Sequence, residues 1–449
     1  MPRNSLVLIH GYSDKGESFA KWEEKLGSAG FDGDIHSCSY RSLTNEVTIK
    51  DIAEGFDRAL RIQTGLKDEE PFDAIVHSTG MLVLRCWLTS YRSRVSRLKR
   101  LIGLAPATAG SPLAHKGRSW LGSLFKGNKQ LGPDFMEAGD LILDGLELGS
   151  RFTWDLAHKD FFGSETYYGP DDKTPYVFVF CGTKGYGGLR SFANEPGTDG
   201  TVRLAGTPMN CRKIVLDLTR GDGEETGRVT WIDPPNIDAP LYPITKLNHG
   251  TIMGDPSDEL VDLVSRALKV ESKRDFEAWS RAAREATQKG FEDVDEWQQF
   301  VVRAMDERGD PITDYFLELT YEKRTGLFRG IRDFDMDVHP YAADKSLRCF
   351  HVNLSKLKKL DLQTLHMRVV ASSGSDLVTY CGVGGVEADE TAVNEGGKWD
   401  ASLDLSKWLN KPEKKFFYPF TTTYVELKLN REPAPPDLAQ RNKVLSFLR

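Results

Sequence analysis

Residues 72–80 read FDAIVHSTG, an apolar run that ends abruptly at the hydroxyl of Ser78. A helical pattern follows at once over residues 81–91, with no loop between the two. An apolar strand that passes directly into x-Ser-x-Gly makes a tight strand-to-helix turn, which lifts the serine oxygen out of the sheet toward the helix N-terminus. We therefore predict that Ser78 is the nucleophile of a nucleophile elbow.

Three further segments carry groups that a serine nucleophile needs. The strand-like run at residues 5–9 stops at HGY, where glycine lets the backbone bend and an amide point back over the sheet. A second apolar run, at residues 176–181, precedes the loop that contains Asp199. His249 comes later, in a short NHG loop before another helical pattern. The chain thus presents a nucleophile, a carboxylate and a histidine in that order.

These motifs together resemble those of the α/β-hydrolase superfamily, and within it the lipase and esterase branch. The similar segments are LIHGY at residues 8–12, HSTG at 77–80, APATAGSPL at 105–113, TDGTV at 198–202 and NHG at 248–250. The order of nucleophile, acid and histidine is also that of the superfamily. The resemblance covers roughly the first 270 residues. The chain departs from the pattern at Val76, where the elbow usually has glycine.

The resemblance implies a role for each site residue. Ser78 would attack an ester carbonyl, His249 would accept its proton, and Asp199 would fix the imidazole tautomer. The backbone amides of Tyr12 and Thr79 would form the oxyanion hole for the charge that develops on the carbonyl oxygen.

Other candidate residues would contact the substrate. His10 and His77 flank the motifs and are interpreted as pocket-lining or structural groups rather than bases. The insertion at residues 110–170 interrupts the strand and helix alternation, and we expect it to form a cap over the pocket. Its apolar side chains would line an acyl-binding groove or form the core of the cap. The candidates are Trp120, Leu121, Leu124 and Phe125.

Each triad assignment has an alternative. Ser78 could be only a helix cap, and His249 an ordinary loop histidine. Several other carboxylates could take the place of Asp199, although each also fits a turn or surface position. They are Asp171, Asp172, Asp217, Asp222 and Asp233. The loop position of Asp199, between the elbow and His249, favours it.

The alternation of strands and helices predicts an α/β fold, with a mostly parallel sheet covered by helices on both faces. We assign residues 1–270 to this α/β-hydrolase domain and residues 271–310 to a helical linker. From residue 311 the pattern changes to short alternating strands separated by turns, which indicates an antiparallel β-sandwich domain over residues 311–449.

Composition limits the partners and the cellular location. The net charge is −7 and there is no long basic run, so nucleic-acid binding is not expected. The 6 cysteines have no C-x-x-C spacing, which favours free thiols in a reducing compartment and gives no reason to expect a metal or cofactor. No stretch reaches the roughly 20 apolar residues of a membrane span. Residues 1–4 leave no room for a signal peptide before the first strand, so we expect a cytoplasmic protein, with signal-less export as the alternative.

The sequence therefore predicts a serine hydrolase that cleaves carboxylic esters through an acyl-enzyme, as a lipase or esterase. Phospholipid or thioester deacylation by the same triad is the first alternative, followed by amide hydrolysis. A non-catalytic binding or scaffold protein that acts through the C-terminal domain is a different class of function. The expected partner is an ester-containing small molecule or a lipid, with contact to a lipid surface as a further option. The sequence does not predict the oligomeric state.

Overall fold

The computed structural model describes residues 4–10, 19–38, 46–114, 140–169, 173–188, 191, 194–219, 228–232, 237–325, 328–334, 336–358, 362, 364–375, 377–382, 398–409 and 415–433. The predicted oxyanion donor Tyr12 lies outside these residues, as do the predicted cap residues Trp120, Leu121, Leu124 and Phe125. Among the helices in the described ranges, none combines the length and the apolar character that a membrane span requires.

The strands are β1 (Ser5–Ile9), β2 (Ile35–Cys38), β3 (Phe72–His77), β4 (Leu98–Leu104), β5 (Tyr176–Gly182), β6 (Arg212–Asp217), β7 (Arg228–Ile232), β8 (Leu241–Ile244), β9 (Trp297–Asp306), β10 (Tyr315–Thr325), β11 (Phe328–Asp333), β12 (Met336–Pro340), β13 (Leu347–Asn353), β14 (His366–Ser372), β15 (Val378–Cys381), β16 (Lys398–Asp404) and β17 (Thr421–Pro433). The α-helices are α1 (Ala20–Ser28), α2 (Ile49–Ile62), α3 (Gly80–Ser90), α4 (Asp140–Leu146), α5 (Arg151–Asp160), α6 (Thr251–Gly254), α7 (Asp258–Ala267), α8 (Lys273–Ala286), α9 (Gln288–Glu292) and α10 (Leu354–Lys358).

The chain folds into two compact units. Unit 1 consists of Met1–Cys211, Pro234–Asp295 and Phe420–Thr422. Unit 2 consists of Arg212–Asp233, Glu296–Pro419 and Thr423–Arg449.

Unit 1 contains a six-stranded sheet in the order β2-β1-β3-β4-β5-β8. All of its strand pairs are parallel. Every residue of β3 and of β5 is buried, as expected for central strands of a parallel sheet with both faces covered. The predicted parallel sheet is thus confirmed. Because parallel strands all end at the same edge, the residues after β3, β5 and β8 can meet there.

Helices α2 and α3 pack together in unit 1. Thr48 caps α2 and forms a capping box with Asp51, which explains why the helix begins there. Helix α3 is buried at every position from Gly80 to Thr89. Its apolar residues are therefore distributed around the whole helix and are not confined to one face. The ring of Trp87 on α3 lies edge-on to Phe56 of α2, with centroids 5.6 Å apart. The helix that follows Ser78 is therefore a core element.

A buried ion pair fixes α3 to the rest of unit 1. Arg85 donates from Nε to Asp160 Oδ2 at 2.8 Å and from Nη2 to Oδ1 at 2.9 Å, and both side chains have 0% exposure. Arg85 Nη1 also donates to the Thr108 carbonyl at 2.6 Å, and the Tyr168 hydroxyl donates to Asp160 Oδ2 at 2.8 Å. These additional bonds offset part of the cost of removing two charges from water.

Unit 2 contains two sheets. The four-stranded sheet has the order β11-β10-β14-β16 and is antiparallel. The other has the order β12-β13-β9-β17-β6-β7, with β15 paired to β17, and its β17 and β6 strands are parallel. Side chains from both sheets share one apolar core, for example Phe300 and Leu427 from the second sheet and Leu319 and Val369 from the first. A C-terminal β domain therefore follows the α/β part.

The two units differ from the continuous ranges expected from the sequence. Strand β6 lies inside the predicted range 1–270, but it pairs with β17, with Ile214 opposite Val425, and its side chains join the core of unit 2. The predicted linker 271–310 is also divided. Helices α8 and α9 belong to unit 1, where Trp279 packs edge-on against Phe178 at 4.5 Å, whereas β9 belongs to unit 2.

Removal of Asp160 tests the buried ion pair. Asp160→Ala should lower the free energy of unfolding by about 3–5 kcal/mol, because Arg85 would stay buried without its counter-charge. The matched control is Asp155→Ala, which removes one partner of the exposed pair with Arg151 on the same helix and should cost less than about 1 kcal/mol. Urea unfolding measures both variants. Equal losses would contradict the role given to the buried pair.

Candidate active site

Ser78 occupies the turn between β3 and α3. Its φ is 52°, in the left-handed region that few residues other than glycine adopt. Two hydrogen bonds join the turn to the end of β4 and the loop after it, from the Ser78 N–H to the Leu104 carbonyl at 3.2 Å and from the Ala107 N–H to the Ser78 carbonyl at 3.1 Å. The end of β4 and the loop after it therefore maintain a backbone conformation that Ser78 would not adopt by itself.

The last position of the elbow requires glycine. A Cβ at Gly80 would lie 2.8 Å from the Ile9 carbonyl oxygen and 3.1 Å from that of His10. The turn thus packs directly against the backbone at the end of β1. At the first elbow position, Val76 is paired in register with Gly103 of β4. The valine side chain, which is bulkier than the usual glycine, therefore lies next to a residue that has no side chain.

The structure brings the three predicted triad side chains together at the carboxyl edge of the parallel sheet. His249 Nε2 lies 3.0 Å from Ser78 Oγ, and His249 Nδ1 lies 2.9 Å from Asp199 Oδ2. His249 and Asp199 are fully buried, and Ser78 is 5% exposed. In this arrangement Nε2 can take the hydroxyl proton while the carboxylate holds the N–H at Nδ1.

The carboxylate of Asp199 is held through both of its oxygens. Oδ1 accepts hydrogen bonds from the backbone N–H groups of Thr201, at 3.0 Å, and Val202, at 2.9 Å. Oδ2 contacts the imidazole of His249. The acid loop therefore fixes the orientation of the carboxylate before any substrate arrives.

Cys181 is a further contact of Asp199 that the sequence did not indicate. Its thiol donates to Asp199 Oδ2 at 3.4 Å, the same oxygen that contacts His249. Burial raises the pKa of this thiol well above its usual value, and the charge of Asp199 adds to the effect, so Cys181 remains a protonated donor. In the sequence it is one more small residue at the end of an apolar run, which gave no signal for this contact.

His77, predicted to line the pocket, is buried and bonded to the loop of His249. Its Nε2 lies 2.9 Å from the His249 carbonyl oxygen, and because a carbonyl only accepts, Nε2 must carry the proton. Burial lowers the pKa of His77 well below its usual value, and the neighbouring rings of His249 and His10 add to this. His10 is buried as well, directly after β1. Substrate contact by His10 and His77 stays a prediction.

Thr79, predicted to donate to an oxyanion through its amide, is the N-cap residue of α3 and is fully buried. Amides at the start of a helix have no partner within the helix, and the helix dipole there favours negative charge. This position suits a donor to the substrate oxygen. The second predicted donor, Tyr12, lies outside the described residues.

The alternatives to Asp199 are placed as follows. Asp217 ends β6 in unit 2 and accepts a hydrogen bond from the Thr219 N–H at 3.1 Å, as a turn carboxylate does. Asp171, Asp172, Asp222 and Asp233 lie outside the described residues. Within the described ranges, no group of three or more His, Cys, Asp or Glu side chains could hold a metal ion.

Comparisons with known proteins include a similarity over nearly the whole chain. No protein-family model matches the chain, and no curated protein matches it. Two solved structures of phospholipase PlaB from Legionella pneumophila, one in complex with thio-NAD, are each 24% identical to it, with a TM-score of 0.74 over 95% of this chain and 94% of that chain. Lipase BlEst2 from Bacillus licheniformis is 15% identical, with a TM-score of 0.38 over 59% of this chain and 94% of that chain. The chain shares its fold with PlaB.

His77 should stay neutral across the pH range in which an ordinary histidine titrates. Its folded-state pKa lies well below the usual 6.5, so the unfolded chain takes up a proton near pH 6.5 that the folded protein does not. The contribution of His77 to stability should therefore fall as the pH drops below 6.5. Histidine ring resonances followed by NMR from about pH 8 to 5 measure this, with His77→Gln used for assignment. A His77 signal with its midpoint near the usual value would contradict the prediction.

Proposed function

We propose that this chain, which has the α/β-hydrolase fold, cleaves carboxylic ester bonds as a serine hydrolase. The observation that carries the proposal is the hydrogen-bonded series from Ser78 through His249 to Asp199, with distances of 3.0 and 2.9 Å. A free serine hydroxyl is a poor nucleophile, and an adjacent imidazole is the group that activates it. The positive φ of Ser78 supports the same proposal, because strained backbone collects at functional positions.

The residues would act in a defined sequence. Ser78 Oγ attacks the carbonyl carbon of the ester while His249 Nε2 takes the hydroxyl proton, and Asp199 stabilises the resulting imidazolium. The negative carbonyl oxygen accepts a hydrogen bond from the Thr79 amide, with the Tyr12 amide as the expected second donor. His249 then passes its proton to the leaving alcohol, and an ester on Ser78 remains. Water, activated by His249, releases the acid and restores the serine.

A phospholipid is the second candidate substrate. The similarity to phospholipase PlaB favours it, because the match extends over 95% of this chain and is not confined to the α/β part. The carboxylic ester bonds of a phospholipid require the same triad chemistry, so the two candidates differ only in the substrate. This candidate would add contact with a lipid surface to the proposal.

Replacement of Ser78 tests the reaction class. Ser78→Ala should lower the turnover of p-nitrophenyl butyrate by about 10⁴-fold or more and abolish labelling by a fluorophosphonate, because both need the serine oxygen. The control Ser28→Ala changes an exposed serine at the end of α1 and should keep both activities. Labelling of Ser78→Ala equal to that of the unchanged protein would reject Ser78 as the nucleophile.

The same preparations distinguish the substrate classes. Release of fatty acid from phosphatidylcholine vesicles that is lost in Ser78→Ala would favour the phospholipid. Hydrolysis of soluble esters alone would favour the esterase. The absence of both reactions and of labelling would favour the non-catalytic alternative.

Removal of the Cys181 thiol tests its contribution to the position of Asp199. Cys181→Ala should lower kcat/KM about fivefold, the equivalent of about 1 kcal/mol for one hydrogen bond, and Cys181→Ser should restore most of it. Cys211→Ala is the control, because Cys211 is also buried but the described contacts of Asp199 do not include it. Equal losses in the two alanine variants, without rescue by serine, would refute this role.

A further inference from the structure

A groove in unit 1 lies close to the elbow, and no step of the proposed mechanism uses it. Its volume is about 350 Å³. Its floor consists of buried, mainly aliphatic and aromatic side chains from β1, β2, α2 and α3. They are Ile9, Cys38, Ile52, Phe56 and Val83.

The groove follows one side of α2. Its rim contains Asp51, Gly55, Ala59 and Gln63. Residues four apart lie above one another on a helix, so these four form a single row. With a rise of 1.5 Å per residue, the row extends for about 18 Å. A groove of this length with an apolar floor suits an extended hydrocarbon chain.

Two floor residues connect the groove to the turn that holds Ser78. The side chain of Ile9 reaches toward the elbow, since its Cγ2 lies 3.3 Å from the position of a Cβ at Gly80. Val83 lies in the first turn of α3, where its N–H donates to the Thr79 carbonyl at 3.1 Å. Because Thr79 and Gly80 directly follow Ser78, one end of the groove floor lies beside the turn that carries the nucleophile.

The floor carries no charge that a polar ligand could use. Burial raises the pKa of the Cys38 thiol to about 12, so this residue acts as a small apolar group. The carboxylate of Asp51, at the rim, accepts a hydrogen bond from the Thr48 backbone N–H at 2.8 Å as part of the helix cap. An uncharged, apolar ligand therefore fits the floor best.

We propose that this groove binds the acyl chain of the ester substrate. The inference rests on the proposed function and assigns the substrate class as esters of medium- or long-chain fatty acids. Each methylene that the groove buries should raise kcat/KM by up to about fourfold. A hydrocarbon chain on the leaving-alcohol side of the ester has the same chemistry, so the two sources must be separated by experiment.

The acyl-length profile tests the groove. We would measure kcat/KM for p-nitrophenyl acetate, butyrate, hexanoate and octanoate below their solubility limits. The unchanged protein should prefer octanoate to acetate by about tenfold or more. Gly55→Leu should reduce this preference by about tenfold, because its side chain takes the place of the distal methylenes.

Gly55→Leu should not harm folding. A Cβ at Gly55 would meet no atom within 4 Å, and leucine is a better helix former than glycine. Ala59→Leu is a second filling variant from the same row. Gly27→Leu is the matched control, since Gly27 lies on the exposed side of α1 and its Cβ would also meet nothing within 4 Å. This control should keep the preference of the unchanged protein.

A second series varies the alcohol instead of the acid. Alkyl acetates of two to eight carbons, followed by acid release at constant pH, should show no difference between Gly55→Leu and the unchanged protein. A length effect of Gly55→Leu that appears only in this series would place the alcohol chain in the groove and overturn the inference. An unchanged acyl preference in both filling variants, or an equal change in Gly27→Leu, would also overturn it. Failure of the unchanged protein to hydrolyse any ester would contradict the proposed function itself.

Discussion

The backbone of β1 approaches the start of α3 so closely that no side chain fits between them, and the rest of the site depends on this contact. Gly80 meets the carbonyl oxygens of Ile9 and His10 at distances that exclude a Cβ. This position leaves Ser78 in a left-handed conformation at the end of the central strand. The buried pair of Arg85 and Asp160 also anchors this helix, so the serine is held by backbone contacts and by core electrostatics together.

His249 is held in a comparable way through its peptide groups. Its N–H donates to the Asp199 carbonyl at 3.1 Å, and its own carbonyl accepts from His77 at 2.9 Å. The loop that carries His249 is therefore hydrogen-bonded both to the acid loop, at Asp199, and to the end of β3, at His77. At Gly182 a Cβ would lie 2.3 Å from the Leu247 carbonyl oxygen, so the end of β5 packs directly on the same loop. Little freedom remains for the imidazole beyond its side-chain torsions.

Local patterns predicted much of this arrangement. The elbow was visible because an apolar strand, a serine and a glycine stand at fixed spacing, and the parallel sheet because strands and helices alternate. Contacts between distant segments gave no such signal. Strand β6 looks like another strand of the α/β sheet, and only its pairing with β17, about two hundred residues later, shows otherwise. The thiol contact of Cys181 and the carbonyl contact of His77 are likewise tertiary, and turn chemistry alone could not separate Asp199 from the other loop aspartates.

The interleaved course of the chain has a consequence for biosynthesis. The ribosome releases β6 long before β17, the strand that pairs with it in parallel, has been made. Until β17 has been made, one edge of β6 has no paired strand, and exposed strand edges promote association with other chains. Pairings between such distant segments also form slowly. The nascent protein should therefore carry an open strand edge during roughly the second half of its synthesis, although its α/β part is encoded almost entirely in the first two thirds of the chain.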